Sequence, residues 1–265
     1  MIDYQHYSPT RHDASSPPLV QARPNPRITL LYLVPTPVGN LEDITLRALR
    51  ILKEVDLIAC EDTRTSGILL SHFGIETPRT SYHDHNEARK APRLVERMAA
   101  GQQIALVTDA GSPGISDPGF YLVRACVEAG IRVNALPGPT AFVPALAASG
   151  LPCERFVFEG FLPARKGRQK RLHLLKTESR TMVFYESPHR LVKTLANFAE
   201  VFGPDHRAVV ARELSKKFEE VHRGTLAELQ TGFSEQTKVR GEIVLIIEGV
   251  RPEKQQRDKY PRDNV

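Results

Sequence analysis

The strongest constraint in this 265-residue chain is its rhythm. From Ile28 onward, short apolar runs alternate with segments of helical period: ITLLYLVPT, DITLRALRILKEV, DLIAC, TSGILLSHF, QQIALV, FYLVRACVEAG and IRVNAL follow one another. Runs such as QQIALV read as buried strands, and strands separated by helices belong in a mostly parallel sheet covered on both faces. The fold class is therefore α/β. In DITLRALRILKEV, Ile44, Ala48, Ile51, Leu52 and Val55 fall on one helical face, with Asp43 placed as the N-cap.

After Gly150 the pattern changes. RFVFEGF, RTMVFYE, HRAVVARE, KFEEVHRG and GEIVLIIEG read as strands, with helices around Lys170, Leu191 and Ala227. The strands near Arg212 and Val221 are close enough to form an antiparallel pair. Two α/β domains meeting at a cleft are expected, residues 28–150 and 151–250. Residues 1–27, rich in Pro, Ser, Arg and His, read as a disordered arm, and residues 251–265 as a polar tail. The arm lacks the apolar core of a signal peptide, and no apolar run approaches a membrane span, so a cytoplasmic protein without membrane association is expected.

Composition excludes several classes. Cys60, Cys126 and Cys153 have neither zinc-ribbon nor disulfide spacing and read as reduced, buried thiols. His83 and His85 in YHDHNE lack a third ligand at recognisable spacing, while Asp84 and Glu87 have the spacing of a capping box; no metal is expected. A net charge of +5 tilts only mildly toward a polyanionic partner. With no tryptophan and 7% aromatics, the chain is not one that grips single strands chiefly by stacking.

The loop TDAGSPGISDPG, Thr108 to Gly119, joins a strand to a helix and raises the question of a ligand. Gly-rich turns there commonly cradle phosphate. Yet the chain has no Gly-Lys pair, so no Walker loop, and no G-x-G-x-x-G. Asp109 and Asp117 would repel a phosphate and suit a ligand with a cationic group and hydroxyls. VPTPVGN, CEDTR and PGPTA also leave the carboxyl ends of expected parallel strands, where open α/β sheets bind ligands. Glu61 and Asp62 in CEDTR are the carboxylates best placed to take a proton, or else to pair with Arg64 or cap a helix.

Taken in order, LVPTPVGNLEDITLRALRILKEVDLIACEDTR, YHDHNE, ALVTDAGSPGISDPG, ALPGPTA, FEGFLP, FYESPHR, ARELSKKFEE and GEIVLIIEG resemble the bacterial small-subunit ribosomal RNA ribose 2′-O-methyltransferases of the tetrapyrrole methylase superfamily. The likeness runs from about Leu30 to Gly249. It implies two α/β domains with S-adenosylmethionine in the cleft between them, a homodimer, and a cytidine ribose of 16S rRNA in the small subunit as acceptor. The cofactor contacts it implies are Pro37, Asp109, Ser112, Gly114, Ile115, Ser116, Asp117, Thr140, Ala141, Tyr185 and Leu214. Read from their chemistry, Lys216 and Lys217 of ELSKKFEE would orient a phosphate or stabilise the alkoxide, or else stand solvated at the surface, and the sequence alone does not choose between Glu61 and Asp62 as base.

For RNA contact the sequence offers Arg64 and the cluster ARKGRQKR, with Arg165, Lys166, Arg168, Lys170 and Arg171. Relatives of this kind continue into a helical C-terminal extension, whereas this chain has a short polar tail and a longer arm. The rival readings are a small-molecule methyltransferase of the same superfamily and a non-catalytic, cofactor-binding RNA-associated protein.

Overall fold

The computed structural model describes residues 29–250; the arm and tail expected at the two ends lie outside the described residues. The first half comprises β1 (Leu30–Leu33), α1 (Leu46–Glu54), β2 (Leu57–Cys60), α2 (Thr63–His72), β3 (Arg79–Ser81), α3 (Glu87–Ala99), β4 (Gln103–Val107), α4 (Phe120–Glu128) and β5 (Arg132–Ala135). Its strands form a wholly parallel sheet in the order β3-β2-β4-β1-β5. Ala48, Ile51 and Leu52 of α1 and Leu70 of α2 bury one face. Leu94 and Met98 of α3 and Leu122 and Cys126 of α4 bury the other.

The order of strands decides where a ligand can enter. β1 and β4 are neighbours, but the helix after β1 packs on one face of the sheet and the helix after β4 on the other. Divergent crossovers leave a crevice at the carboxyl ends of the two strands. The Val34–Asn40 and Thr108–Gly119 loops open into it.

The second half comprises α5 (Phe142–Ala148), β6 (Phe156–Phe161), α6 (Arg168–Leu175), β7 (Thr181–Glu186), α7 (Leu191–Phe202), β8 (Arg207–Arg212), β9 (Glu220–Thr225), α8 (Leu226–Ser234) and β10 (Ile243–Ile247). Its sheet runs β6-β7-β10-β8-β9 and is parallel only between β6 and β7. β8 and β9 pair antiparallel, as their short connection requires. α6, α7 and α8 cover one face, where Phe184 and Phe198 meet with ring centroids 5.0 Å apart. Burying each such ring contributes about 1.5–3 kcal/mol. α5 covers the other face through Ala145 and Leu146. This helix precedes Gly150 in the chain but packs with the second sheet.

Local expectations need three corrections. Asp43 does not cap α1: it ends a 3₁₀ turn, Leu41–Asp43, and Ile44 is extended, so the cap falls to Thr45, whose Oγ1 accepts from Ala48 N at 3.1 Å. The Asp84–Glu87 capping box is not formed. α3 starts at Glu87 after Asn86, and Asn86 Oδ1 instead accepts from His83 N within the preceding turn. Cys60 and Cys126 are buried, but Cys153 is exposed.

Candidate active site

Four loops at the carboxyl ends of the first sheet are stitched into one surface. Thr36 and Gly111 exchange backbone hydrogen bonds, both 2.9 Å, and Thr36 Oγ1 donates to the buried Thr108 carbonyl. These bonds join the loops after β1 and β4. Ser112 Oγ donates to the Pro139 carbonyl at 3.0 Å and lies 2.6 Å from Thr140 Oγ1, joining the β4 loop to the PGPTA turn. Asp62 N donates to Asp109 Oδ1, and Asp109 N to Glu61 Oε2, bringing in the loop after β2.

Across from this surface, the second half presents Phe161, Tyr185, Leu214 and the Gly241–Val244 segment. Between them lies a cavity of about 340 Å³, within the range of small-molecule sites. Its first wall is Val38, Gly111, Ser112, Ile115, Ser116, Asp117, Thr140 and Ala141. Three non-glycine residues among those described have left-handed backbones: Ser116 (φ 63°) in one wall, and Glu213 (φ 53°) and Ser215 (φ 62°) on either side of Leu214 in the other. Such conformations cost on the order of 1–3 kcal/mol each and concentrate where a site must be held in one shape.

The electrostatics of the cavity are one-sided. Among the described residues that line it there is no lysine, arginine or histidine, but there are Asp117, Glu186 and Glu242. Glu186 is neutralised within the fold by Arg190 at 2.8 Å and Arg168 at 3.8 Å. Burial, then the charges of Glu61, Asp109, Asp84 and Glu242, push the Asp117 carboxyl up to about 7. Burial also raises Glu61 and Asp109. Burial likewise pushes the Tyr185 hydroxyl up to about 12. A pocket of this kind rejects phosphate and favours a cation.

Of the residues expected to hold a cofactor, Ser112, Ile115, Ser116, Asp117, Thr140, Ala141, Tyr185 and Leu214 line the cavity. Val38 lines it in place of Pro37. Gly114 and Asp109 are exposed and outside the lining, and Asp109 fastens the β2 loop. Lys216 is also outside the lining. Its Nζ lies 3.0 Å from Glu213 and 3.1 Å from Glu242; burial opposes its charge, but the hydrogen bonds and charges of those two carboxylates together outweigh it and raise its pKa.

Two expected roles are corrected by these contacts. Asp62 is unsuited to accept a proton. It caps α2 by accepting from Arg64 N, and the Arg64 guanidinium grips it at 2.7 Å and holds its carboxyl at about 2. Arg168 is unavailable to RNA: it is 7% exposed, donates to Thr194 Oγ1 at 2.7 Å and faces Glu186. Arg171 is exposed but forked onto Glu159 with two 2.6 Å bonds. Arg165, Lys166 and Lys170 remain exposed beside it.

Phe161, Ser187, Pro188 and Glu242 are site residues that sequence reasoning did not single out. The motifs FEGFLP, FYESPHR and GEIVLIIEG contain them, but only the pairing of β7 with β6 on one side and β10 on the other brings them together. The β10 pairing sets Ile243 opposite Glu186 and so carries Glu242 into the mouth of the cavity.

The match of residues 30–230 to the family model for tetrapyrrole (corrin/porphyrin) methylases defines the class: the chain belongs to that family of methyltransferases. Within the family, its similarity is to proteins named ribosomal RNA small subunit methyltransferase I. The chain is 52% identical to the one from Escherichia coli O157:H7, covering 88% of this chain and 81% of the relative. It is 50% identical to the one from Synechocystis sp., covering 89% and 84%. Among solved structures, diphthine synthase superposes with a TM-score of 0.64 at 15% identity, covering 83% of this chain and 90% of that one. Uroporphyrin-III C-methyltransferase from Thermus thermophilus, complexed with S-adenosyl homocysteine, does so with a TM-score of 0.58 at 21% identity, covering 82% and 96%. Both agree with the fold.

Proposed function

We propose that this chain is an S-adenosylmethionine-dependent methyltransferase of small-subunit rRNA, acting on the ribose 2′-oxygen of a cytidine in 16S rRNA. The observation that carries the cofactor reading is the cavity itself: apolar walls, hydroxyls, carboxylates and, among the described lining residues, no basic side chain. S-adenosylmethionine has a cationic amino group, a sulfonium, a carboxylate, two ribose hydroxyls and a flat adenine, but no phosphate. Asp117 would face its cationic part, Ser112, Thr140 and the 111–116 backbone its polar groups, and Tyr185, Leu214 and Val244 its base. About 50% identity over most of the chain supports rRNA over a small-molecule acceptor.

When bound, the cofactor supplies a methyl group on a positively charged sulfur, so the carbon–sulfur bond breaks as the carbon–oxygen bond forms. The protein's part is alignment and proton removal. Of the two carboxylates after β2, Glu61 is the one able to accept the ribose proton. It is partly buried and raised by that burial, whereas Asp62 is locked by Arg64. Lys216 stays charged and holds Glu242 at the cavity mouth rather than acting as a base.

Among the described residues no helix is long and apolar enough to cross a membrane. The reading is completed by a cytoplasmic homodimer whose partner is the small ribosomal subunit. Incubation with labelled S-adenosylmethionine and unmethylated small subunits, followed by nucleoside analysis, is expected to yield labelled 2′-O-methylcytidine. Glu61→Gln is expected to slow transfer by roughly 10²- to 10⁴-fold, with cofactor affinity not weakened. Label on a base, or on no nucleoside, would contradict the assignment, as would full activity of Glu61→Gln for the proposed base.

A further inference from the structure

Beside the cavity lies a second hollow of about 330 Å³ between β6 and α6, and Phe161 lines both. The position of that ring is the work of a bulge. β6 pairs in register with β7 as far as Phe158, opposite Val183, then skips Glu159 and resumes with Gly160 opposite Phe184 and Phe161 opposite Tyr185. In an unbroken strand Phe161 would follow Val157 toward the core beneath α6, because side chains alternate with period two. The extra residue turns Phe161 to the cavity side instead. Gly160 makes the turn possible: its φ is 61°, and a Cβ there would come within 3.0 Å of Ser116 Oγ. The displaced Glu159 holds Arg171 in a fork.

The outcome is an aromatic ring 54% exposed, steadied by Tyr185 at 5.6 Å between centroids, with the similarly exposed Leu174 across the hollow. The rim is cationic. Arg171 is fixed by Glu159, and among the described residues no carboxylate pairs with Lys170. A flat apolar floor beneath a free ammonium complements one nucleotide: a base on the ring and a phosphate at the rim.

We propose that this hollow holds a nucleotide neighbouring the methylated one, its base stacked on Phe161 and its phosphate facing Lys170. The proposal rests on the rRNA reading above and adds a specificity-determining position to it. One ring suffices, which agrees with the low aromatic content of the chain.

The test is steady-state methylation of unmethylated small subunits by the full chain, with S-adenosylmethionine affinity measured separately by calorimetry. Phe161→Ala is expected to raise KM for subunits roughly 10- to 100-fold, the size of a base–aromatic stack, and to change cofactor affinity by much less. Phe161→Trp restores KM. Lys170→Gln lowers the slope of log affinity against log salt by about 0.7, one single-strand phosphate. An unchanged KM in Phe161→Ala, or a loss matched by lost cofactor affinity and not restored by Trp, overturns the proposal. A wild-type chain that binds cofactor but methylates no subunit RNA overturns the rRNA reading and the proposal with it.

Discussion

At the scale of single residues, Asp117 carries the tension between stability and binding. Its carboxyl is raised to about 7, first by burial and then by four like charges. The folded chain therefore holds this proton across the interval from the ordinary carboxylate range up to about 7, where the unfolded chain has lost it. Stability falls as pH rises through that interval. Asp117→Asn removes the charge and keeps the shape. It is expected to stabilise the ligand-free protein at pH 8 by on the order of 2 kcal/mol, seen as a higher melting temperature, with the gain fading toward pH 4. Melting curves at the two pH values measure this, and a variant no more stable at pH 8 than at pH 4 relative to wild type would refute it. A site residue whose removal stabilises the fold is one retained for its ligand.

At the scale of elements, the link between the halves runs through the loop after β1 and the segment after β8. A Cβ at Gly39 would overlap Lys216 Cγ and lie 3.1 Å from the Leu214 carbonyl oxygen. The lysine stem lies across the glycine, while its Nζ bridges Glu213 and Glu242. Gly39→Ala is expected to weaken cofactor binding roughly tenfold by displacing Leu214 from the cavity wall. Combined with Lys216→Ala, which removes the overlapping atom, it should bind no worse than Lys216→Ala alone. Losses that simply multiply in the double variant, measured by calorimetry, would show the contact to be incidental.

The same elements show what a sequence can disclose. β1, β2 and β4 were legible because buried parallel strands are unbroken apolar runs, β5 because the apolar positions of IRVNAL alternate, and their loops because glycine, proline and aspartate cluster there. β3 was not, since Arg79, Thr80 and Ser81 form a polar edge strand with no periodic signal. Arg168 read as one of five surface cations because sequence proximity does not reveal its burial against Thr194 and Glu186. Phe161 was hidden for a related reason: its direction depends on one extra residue in β6, and that is settled only by pairing with β7.

At the scale of the whole molecule, function is a property of the gap between two sheets. The parallel sheet supplies loops because its crossovers diverge between β1 and β4, and the mixed sheet closes the gap with Tyr185, Leu214 and Glu242. Neither sheet alone encloses a ligand. The central claim is that this carboxylate-bearing gap binds the methyl donor. Its most direct test is calorimetric titration of the full chain with S-adenosylmethionine between pH 6 and 7.5, for wild type and Asp117→Asn. The account predicts one site per chain, wild-type affinity that rises with pH as the Asp117 carboxyl ionises, and an Asn variant that binds more weakly and loses that rise. Equal affinity and equal pH dependence in the two proteins would contradict it.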